Sequence, residues 1–411
     1  MLSPFIHYLG GSKEDYDVIK AEQDSGYTTG VTDGNFQTWQ DLWNKGRVHA
    51  AAPTNENYFK MKGLAADGLT PTADPVLLDE DNLIDYLLLT FWTGNLDGAV
   101  SNFLGNDKAN NWFGSRRRNG REGFRFFAHD FEHSFFNSGE DRTGPYTTPN
   151  QSDFSYSNPM FLHQDLLGNI EYRLRFADRV QKHMFNGGAL TATRWTGRFN
   201  SLAATIDRAI IAESARWGDA KRATPLTRLD WLNAKNSLID SYVPSRGTTV
   251  LSQLRNDGLY PSIGGVTIAP FGGYVASGSA AVITASAGTI YYMRDGSDPR
   301  AIGGAPKPGA QTHASGSQFV FTGSGERPLR LRALAGTTWS ALTEAIFLVD
   351  TVAASATNLA ISEIMYHPAA ATAAEIAAGF MRRFAADDVI FTIEAAESLQ
   401  PANWDPLATV S

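Results

Sequence analysis

Two acidic groups and an amide fall in this chain in an order that suits phosphate chemistry. Asn95-Leu96-Asp97 is followed by Asn110-Asn111-Trp112-Phe113, and then by Phe126-Phe127-Ala128-His129-Asp130-Phe131-Glu132-His133. Between Trp112 to Arg118 and Gly123 to Ala128 stands Asn119-Gly120. That pair predicts a tight hairpin, because a primed two-residue turn needs positive φ at both central positions. In an antiparallel pair the start of one strand lies beside the end of the other, so Asn111 and Asp130 are expected to be neighbours. Hard oxygen ligands so grouped would hold Mg²⁺ or Mn²⁺ against a nucleotide.

Other chemistry is open to the same residues. His129, Glu132 and His133 match H-x-x-E-H, which binds zinc when both histidines share a helix face. Here Phe124, Phe126 and Ala128 alternate with Arg125, Phe127 and His129 as in a strand, and the residues after Ser134 are rich in Ser, Gly and Asn, so no helix is expected. A two-carboxylate glycosidase would pair Asp97 with Asp130 or Glu132. A purely structural role is open for each residue: Asp97 capping a turn, Asn111 satisfying loop backbone, Asp130 pairing with Arg125 or Arg173.

The elements that must position these groups are legible from caps and periodicity. Helices are predicted over Asp79 to Trp92, Asn158 to Phe185, Thr193 to Trp217 and Thr227 to Tyr242. Asp79 is the expected N-cap of the first, which stops at Gly94; Asn158 caps the second, with Pro159 at the first helical position. Leu83, Ile84, Leu87, Leu88 and Phe91 form one apolar stripe, read as core.

In their order, Asn82 to Leu89, Gly94 to Asp97, Asn110 to Phe113 and Gly123 to Asp130 resemble the CotH family of spore-coat-type atypical protein kinases. Asn169-Ile170-Glu171-Tyr172-Arg173, Phe176-Ala177-Asp178-Arg179, Glu213 to Asp219 and Gln253 to Pro261 resemble its large secreted branch. The resemblance implies an α+β chain whose residues 1–262 form a partial, mostly helical, C-lobe-like kinase domain. It implies Asp97 as the residue that orients the acceptor hydroxyl and takes its proton, Asn111 and Asp130 as Mg²⁺ ligands, and Asn111 and Arg116 as contacts to ATP. The implied reaction is phosphoryl transfer from ATP to Ser or Thr of secreted or cell-surface proteins. Two departures from the family pattern stand out. Gly98 to Ala109 lengthens the loop between Asp97 and Asn111, and no glycine run of the phosphate-covering kinds occurs. The phosphate-covering segment is expected upstream of Met1, and a catalytically silent surface or adhesion protein that keeps the fold is the alternative.

Composition bounds the rest. The 411 residues carry 35 Lys and Arg against 43 Asp and Glu, for a net charge of −8, which argues against a nucleic-acid partner. The short Arg116-Arg117-Arg118 run reads as a solvated or nucleotide-facing edge. With no cysteine the chain has neither a disulfide framework nor a cysteine-based metal site. No apolar run is long enough to span a bilayer, and an extracellular or surface location is expected with a signal peptide upstream. From residue 263 to 352 the composition turns to Gly, Ser, Thr, Ala and Val in short alternating runs, which predicts a small all-β sandwich. Thr289 to Arg300 resembles the chitobiase/β-hexosaminidase C-terminal-type module. In residues 353–411, Leu359 to Pro368 resembles the opening strand of a lamin-tail-type domain, followed by an alanine-rich stretch and a hairpin expected near Val389 to Ala395.

Overall fold

The structure, a computed structural model, describes residues 10–118, 120, 122–353, 391–395 and 405–410. Residues 17–349 form one compact unit. A second unit, residues 1–16 and 350–411, contains two described strands at its C-terminal end, Phe391–Ala395 and Asp405–Val410, paired antiparallel. The expected lamin-tail-type strand lies outside the described residues.

The chain is α+β. Strands β1 (Tyr16–Glu22) and β2 (Thr28–Asp33) lead into helices α1 (Gln37–Ala51) and α2 (Asn55–Lys60), the short pair β3 (Lys62–Leu64) and β4 (Pro71–Val76), and helix α3 (Glu80–Thr93). Strands β5 (Trp112–Arg117) and β6 (Arg125–Ala128) then join the first pair in a four-stranded sheet of order β2-β1-β5-β6. Five helices follow: α4 (Pro159–Leu166), α5 (Ile170–Met184), α6 (Ala192–Trp217), α7 (Arg228–Ser237) and α8 (Val243–Asn256).

Helix α3 forms where its caps predict. The Asp79 carboxylate accepts the Asn82 amide at 3.1 Å, and Gly94 ends the helix at φ 61°, a left-handed conformation that costs glycine little. Between them Leu83, Ile84, Leu87, Leu88 and Phe91 are buried in a core shared with Trp39, Trp112, Phe126 and Phe176. Each such side chain contributes about 1.5–3 kcal/mol.

Three expectations are corrected. The single helix Asn158 to Phe185 is two, broken over 167–169, where Gly168 passes so close to Pro53 that an added Cβ would stand 2.7 Å from its Cβ, and Asn169 caps the second helix by accepting the Glu171 amide at 2.8 Å. Unbroken apolar spacing had masked a Gly-Asn stop and start. The helix from Thr227 does not end at Tyr242; it widens into a π turn, Leu238–Tyr242, and continues as α8. Pro244 has no N–H and its ring crowds the carbonyl four residues back, and the wider turn absorbs both. In the hairpin, Trp112 pairs with Ala128 and Ser115 with Arg125, which centres the connection on Gly120. A two-residue Asn119-Gly120 turn would centre it half a residue earlier, so the loop is longer than that turn.

The all-β part comprises two sheets. One has order β11-β10-β13-β15-β8, with β14 (Thr338–Trp339) paired to β13; the other has order β12-β9-β7. Their ranges are β7 Thr267–Ala269, β8 Gly273–Val275, β9 Ala280–Thr284, β10 Thr289–Met293, β11 Gln311–His313, β12 Ser317–Val320, β13 Gly325–Ala335 and β15 Thr343–Val349. Leu329, Leu331 and Ala333 of β13 and Ala345, Phe347 and Val349 of β15 alternate into a core with Ile283 and Phe319. The intervening Arg332 leaves that core and reaches α5, where it grips Asp178 through two bonds of 2.8 and 2.6 Å and also binds Asp298. Arg300 grips Glu171, two α5 turns earlier in the same seam, at 2.6 and 2.9 Å.

Candidate active site

Helix α3 positions both halves of the site. At its start, the Asn82 side chain pairs with the backbone of Phe126, accepting its N–H at 2.5 Å and donating to its carbonyl at 3.4 Å, so that β6 lies along the helix. At its end, the Leu96 amide donates to the His133 carbonyl at 2.8 Å and the Phe135 amide to the Thr93 carbonyl at 2.8 Å. The Asn95 amide group bridges the same two segments, donating to Ser134 Oγ at 3.0 Å while its Oδ1 accepts the Asp97 N–H at 3.1 Å. Asp97 and Asp130 are thus carried by segments that are stitched together.

The long loop after Asp97 closes on itself. Ser101 N–H donates to the Lys108 carbonyl at 2.8 Å and Asn110 N–H to the Gly98 carbonyl at 3.0 Å. Buried Arg142 fastens it from outside, donating to the Val100 carbonyl at 2.7 Å and to Asn106 Oδ1 at 3.0 Å. The closure returns the chain to its starting point. Asn110 Nδ2 and Asn111 Nδ2 both donate to Asp97 Oδ2 at 3.1 Å, and the Ser101 hydroxyl donates to Oδ1. Asp97 is 7 % exposed, and every donor it receives is uncharged.

Asn111 also donates to the Asp130 carbonyl at 3.3 Å, which brings the expected neighbours together. Both have positive φ, 22° at Asn111 and 47° at Asp130, a conformation that costs roughly 1–3 kcal/mol per residue and that Asn and Asp tolerate best. The Asp130 side chain is exposed, and among the described residues its carboxylate forms no hydrogen bond or ion pair. Arg125, offered as its structural partner, instead binds Asp79 at 2.9 Å and Glu122 at 3.3 Å.

Arg116 does not join this group. It lies on the Trp112 side of β5, is buried, and donates to the Val76 carbonyl at 3.1 Å. Desolvation lowers its pKa, with Asp17 opposing. Strand alternation turned it inward, where a run of three arginines reads from sequence as an edge. The H-x-x-E-H residues lie in the strand exit and turn, with the His129 ring against Phe113 and His133 between Phe103 and Phe136, so they form no helical zinc motif. Among the described residues no three or more His, Cys, Asp or Glu side chains converge as a metal cluster.

Sequence reasoning missed Ser101, Asn110 and Gln23. Asn110 stands beside the chosen Asn111, and only its donation to Asp97 separates their roles. Gln23 lies in the turn between β1 and β2, and donates to Asn110 Oδ1 at 3.2 Å from 87 positions away, a contact that no local pattern signals.

The structure thus has an aspartate following a buried helix, an amide opening a hairpin and a second aspartate leaving it. A family model described as CotH kinase protein matches residues 8–248, well over half of the chain, and the protein belongs to that family. No curated protein and no solved structure matches it. Among the described residues no helix is long and apolar enough to cross a membrane.

Proposed function

We propose that this protein transfers the γ-phosphoryl group of ATP to serine or threonine hydroxyls of secreted or cell-surface proteins. The observation that carries the reading is the arrangement of charge: among the described residues Asp97 receives only uncharged donors, and the carboxylate of Asp130, whose carbonyl is joined to it through Asn111, has no partner. Among the described residues neither carboxylate forms an ion pair with a cation of the protein. The donor set fits a hard divalent ion, since Asp130 and the Asn111 amide oxygen offer oxygen ligands and a nucleotide's phosphates would complete the shell. When bound, Mg²⁺ or Mn²⁺ would neutralise charge on the phosphates. Asp97 orients the acceptor hydroxyl and takes its proton, in the way catalytic-loop aspartates do.

Residues 263–352 form a chitobiase C-terminal-type module that serves as a packing or spacer domain in this reading, since two of its arginines, Arg300 and Arg332, are spent on α5. The remaining residues, 353–411, are read as a lamin-tail-type segment, and the location as extracellular or surface.

Transfer of labelled phosphate from ATP tests the reading. The wild-type protein is expected to label itself or an added acceptor protein in Mg²⁺ or Mn²⁺, and Asp97→Ala and Asp130→Ala to abolish labelling. Undiminished labelling by both variants would return these carboxylates to a structural role. Absence of labelling by the wild type, with unimpaired binding to a surface partner, would favour the silent adhesion protein.

A further inference from the structure

The adjacent asparagines Asn110 and Asn111 do different work, and we infer that Asn110 and Gln23 form a positioning pair that sets the Asp97 carboxylate, leaving Asn111 alone to offer its amide oxygen to the metal. This inference rests on the proposed phosphoryl-transfer site and names residues of it to which the family resemblance gave no role.

The orientation of each amide follows from Asp97. An ionised carboxylate only accepts hydrogen bonds, so the ends of Asn110 and Asn111 that lie 3.1 Å from Oδ2 are NH₂ groups. Asn110 Oδ1 must then point the other way, and it meets Gln23 Nε2 at 3.2 Å. Both ends of Asn110 are therefore used inside the protein. It could turn to a metal only by breaking a bond to Asp97 or to Gln23.

Asn111 is placed differently. Its Nδ2 is shared between Asp97 Oδ2 and the Asp130 carbonyl, and its Oδ1 accepts no hydrogen bond among the described residues. The free oxygen belongs to the residue whose backbone is held at positive φ, next to the exposed Asp130.

Gln23 is not an isolated contact. In the same turn the Gly26 carbonyl accepts the Lys108 ammonium at 3.2 Å, so the β1–β2 connection touches the Asp97 loop at two points, two residues apart on the loop. A displacement of that turn would reach Asp97 through Asn110. Errors of an ångström in a reacting group can lower rate by about a hundredfold.

The test compares Gln23→Ala, Asn110→Ala and Asn111→Ala with wild type, using Mn²⁺ titrations with and without ATP and steady-state phosphate transfer. Gln23→Ala and Asn110→Ala are expected to bind Mn²⁺ and Mn²⁺-ATP as wild type does, with unchanged KM for ATP and kcat lowered about tenfold or more. Asn111→Ala is expected to weaken Mn²⁺ binding about tenfold or more. Gln23 is exposed, so its variant should keep the wild-type melting temperature, and a fall in kcat there cannot be misfolding. If Asn110→Ala lost Mn²⁺ as fully as Asn111→Ala, or if Gln23→Ala left kcat unchanged, the pair would be refuted while the site stood. If the wild type neither bound Mn²⁺-ATP nor transferred phosphate, the site itself would fall, and the pair with it.

Discussion

The loop around Asp97 and the seam between α5 and the β-sandwich bury carboxylates to about the same depth, with Asp97, Glu171 and Asp178 all 7–8 % exposed. Their partners differ in kind. Glu171 and Asp178 each receive a bidentate guanidinium, from Arg300 and Arg332, which cancels the charge locally. Asp97 receives a hydroxyl and two amides, none of which carries a charge. At the seam, burial pushes the Asp178 carboxyl up and Arg332 opposes it, while Arg332 is itself held charged because Asp178 and Asp298 outweigh its desolvation. Carboxylates meet guanidinium groups where the sandwich docks and uncharged donors around Asp97.

Removing one partner at the seam should break the comparison most severely. Arg332→Leu strands Asp178 in a buried site, and denaturant unfolding should show a loss of about 3–5 kcal/mol. Adding Asp178→Leu should recover much of it, because no buried charge is then left alone. An Arg332→Leu protein as stable as wild type would mean that water reaches the seam.

At the site the expected loss is functional. Asp97→Ala should lower phosphate transfer by about 10²-fold or more, with Mn²⁺-ATP affinity near wild type in a binding titration, since a positioning base acts mainly in the transition state. Asp130→Ala should lose both. Equal behaviour of the two variants would erase the division of labour between them.

A third environment sharpens the contrast, because it holds a titrating group with no charge partner. His163 is fully buried with Nδ1 2.6 Å from the Tyr172 hydroxyl and Nε2 unpartnered, and desolvation lowers its pKa to about 3 from an ordinary 6.5. Because the folded value lies below the unfolded one, its contribution to stability is complete above about 6.5 and is lost as the pH falls toward 3. Unfolding followed between pH 6.5 and 5 should show a decline on the order of 2 kcal/mol, and His163→Gln should flatten that slope.

The smallest effect is expected where an ion pair is largely open to water. Arg228 binds Asp207 at 2.8 and 2.7 Å between α7 and α6, both groups being solvated. Arg228→Ala should leave the melting temperature unchanged within error, since such pairs are screened and entropically costly. A clear drop would show that geometry outweighs burial in this protein.

What the sequence disclosed were features written within a few residues. Asp79 and Gly94 mark α3, the alternation after Gly264 marks the sandwich, and the order of Asp97, Asn111 and Asp130 marks residues that the fold brings together as a candidate site. What it withheld depends on which face a residue takes or on contacts across the chain. Arg116 turned inward on β5, and the Gln23–Asn110 and Asp178–Arg332 contacts span 87 and 154 positions. The break before α5 lay between, since Gly168-Asn169 was visible but apolar spacing continued through it.

Helix α5 has hardly any face to spare. Arg175 and Arg179 tie it to Asp81 and Asp85 of α3, Tyr172, Phe176 and Val180 fill the main core, and Glu171 and Asp178 receive the sandwich. Modules strung along a chain are often treated as interchangeable cassettes, to be cut at a linker and grafted elsewhere. This one would carry its Arg300 and Arg332 to a new host unmatched unless Glu171 and Asp178 travelled with them, so the unit of exchange includes a helix of its neighbour.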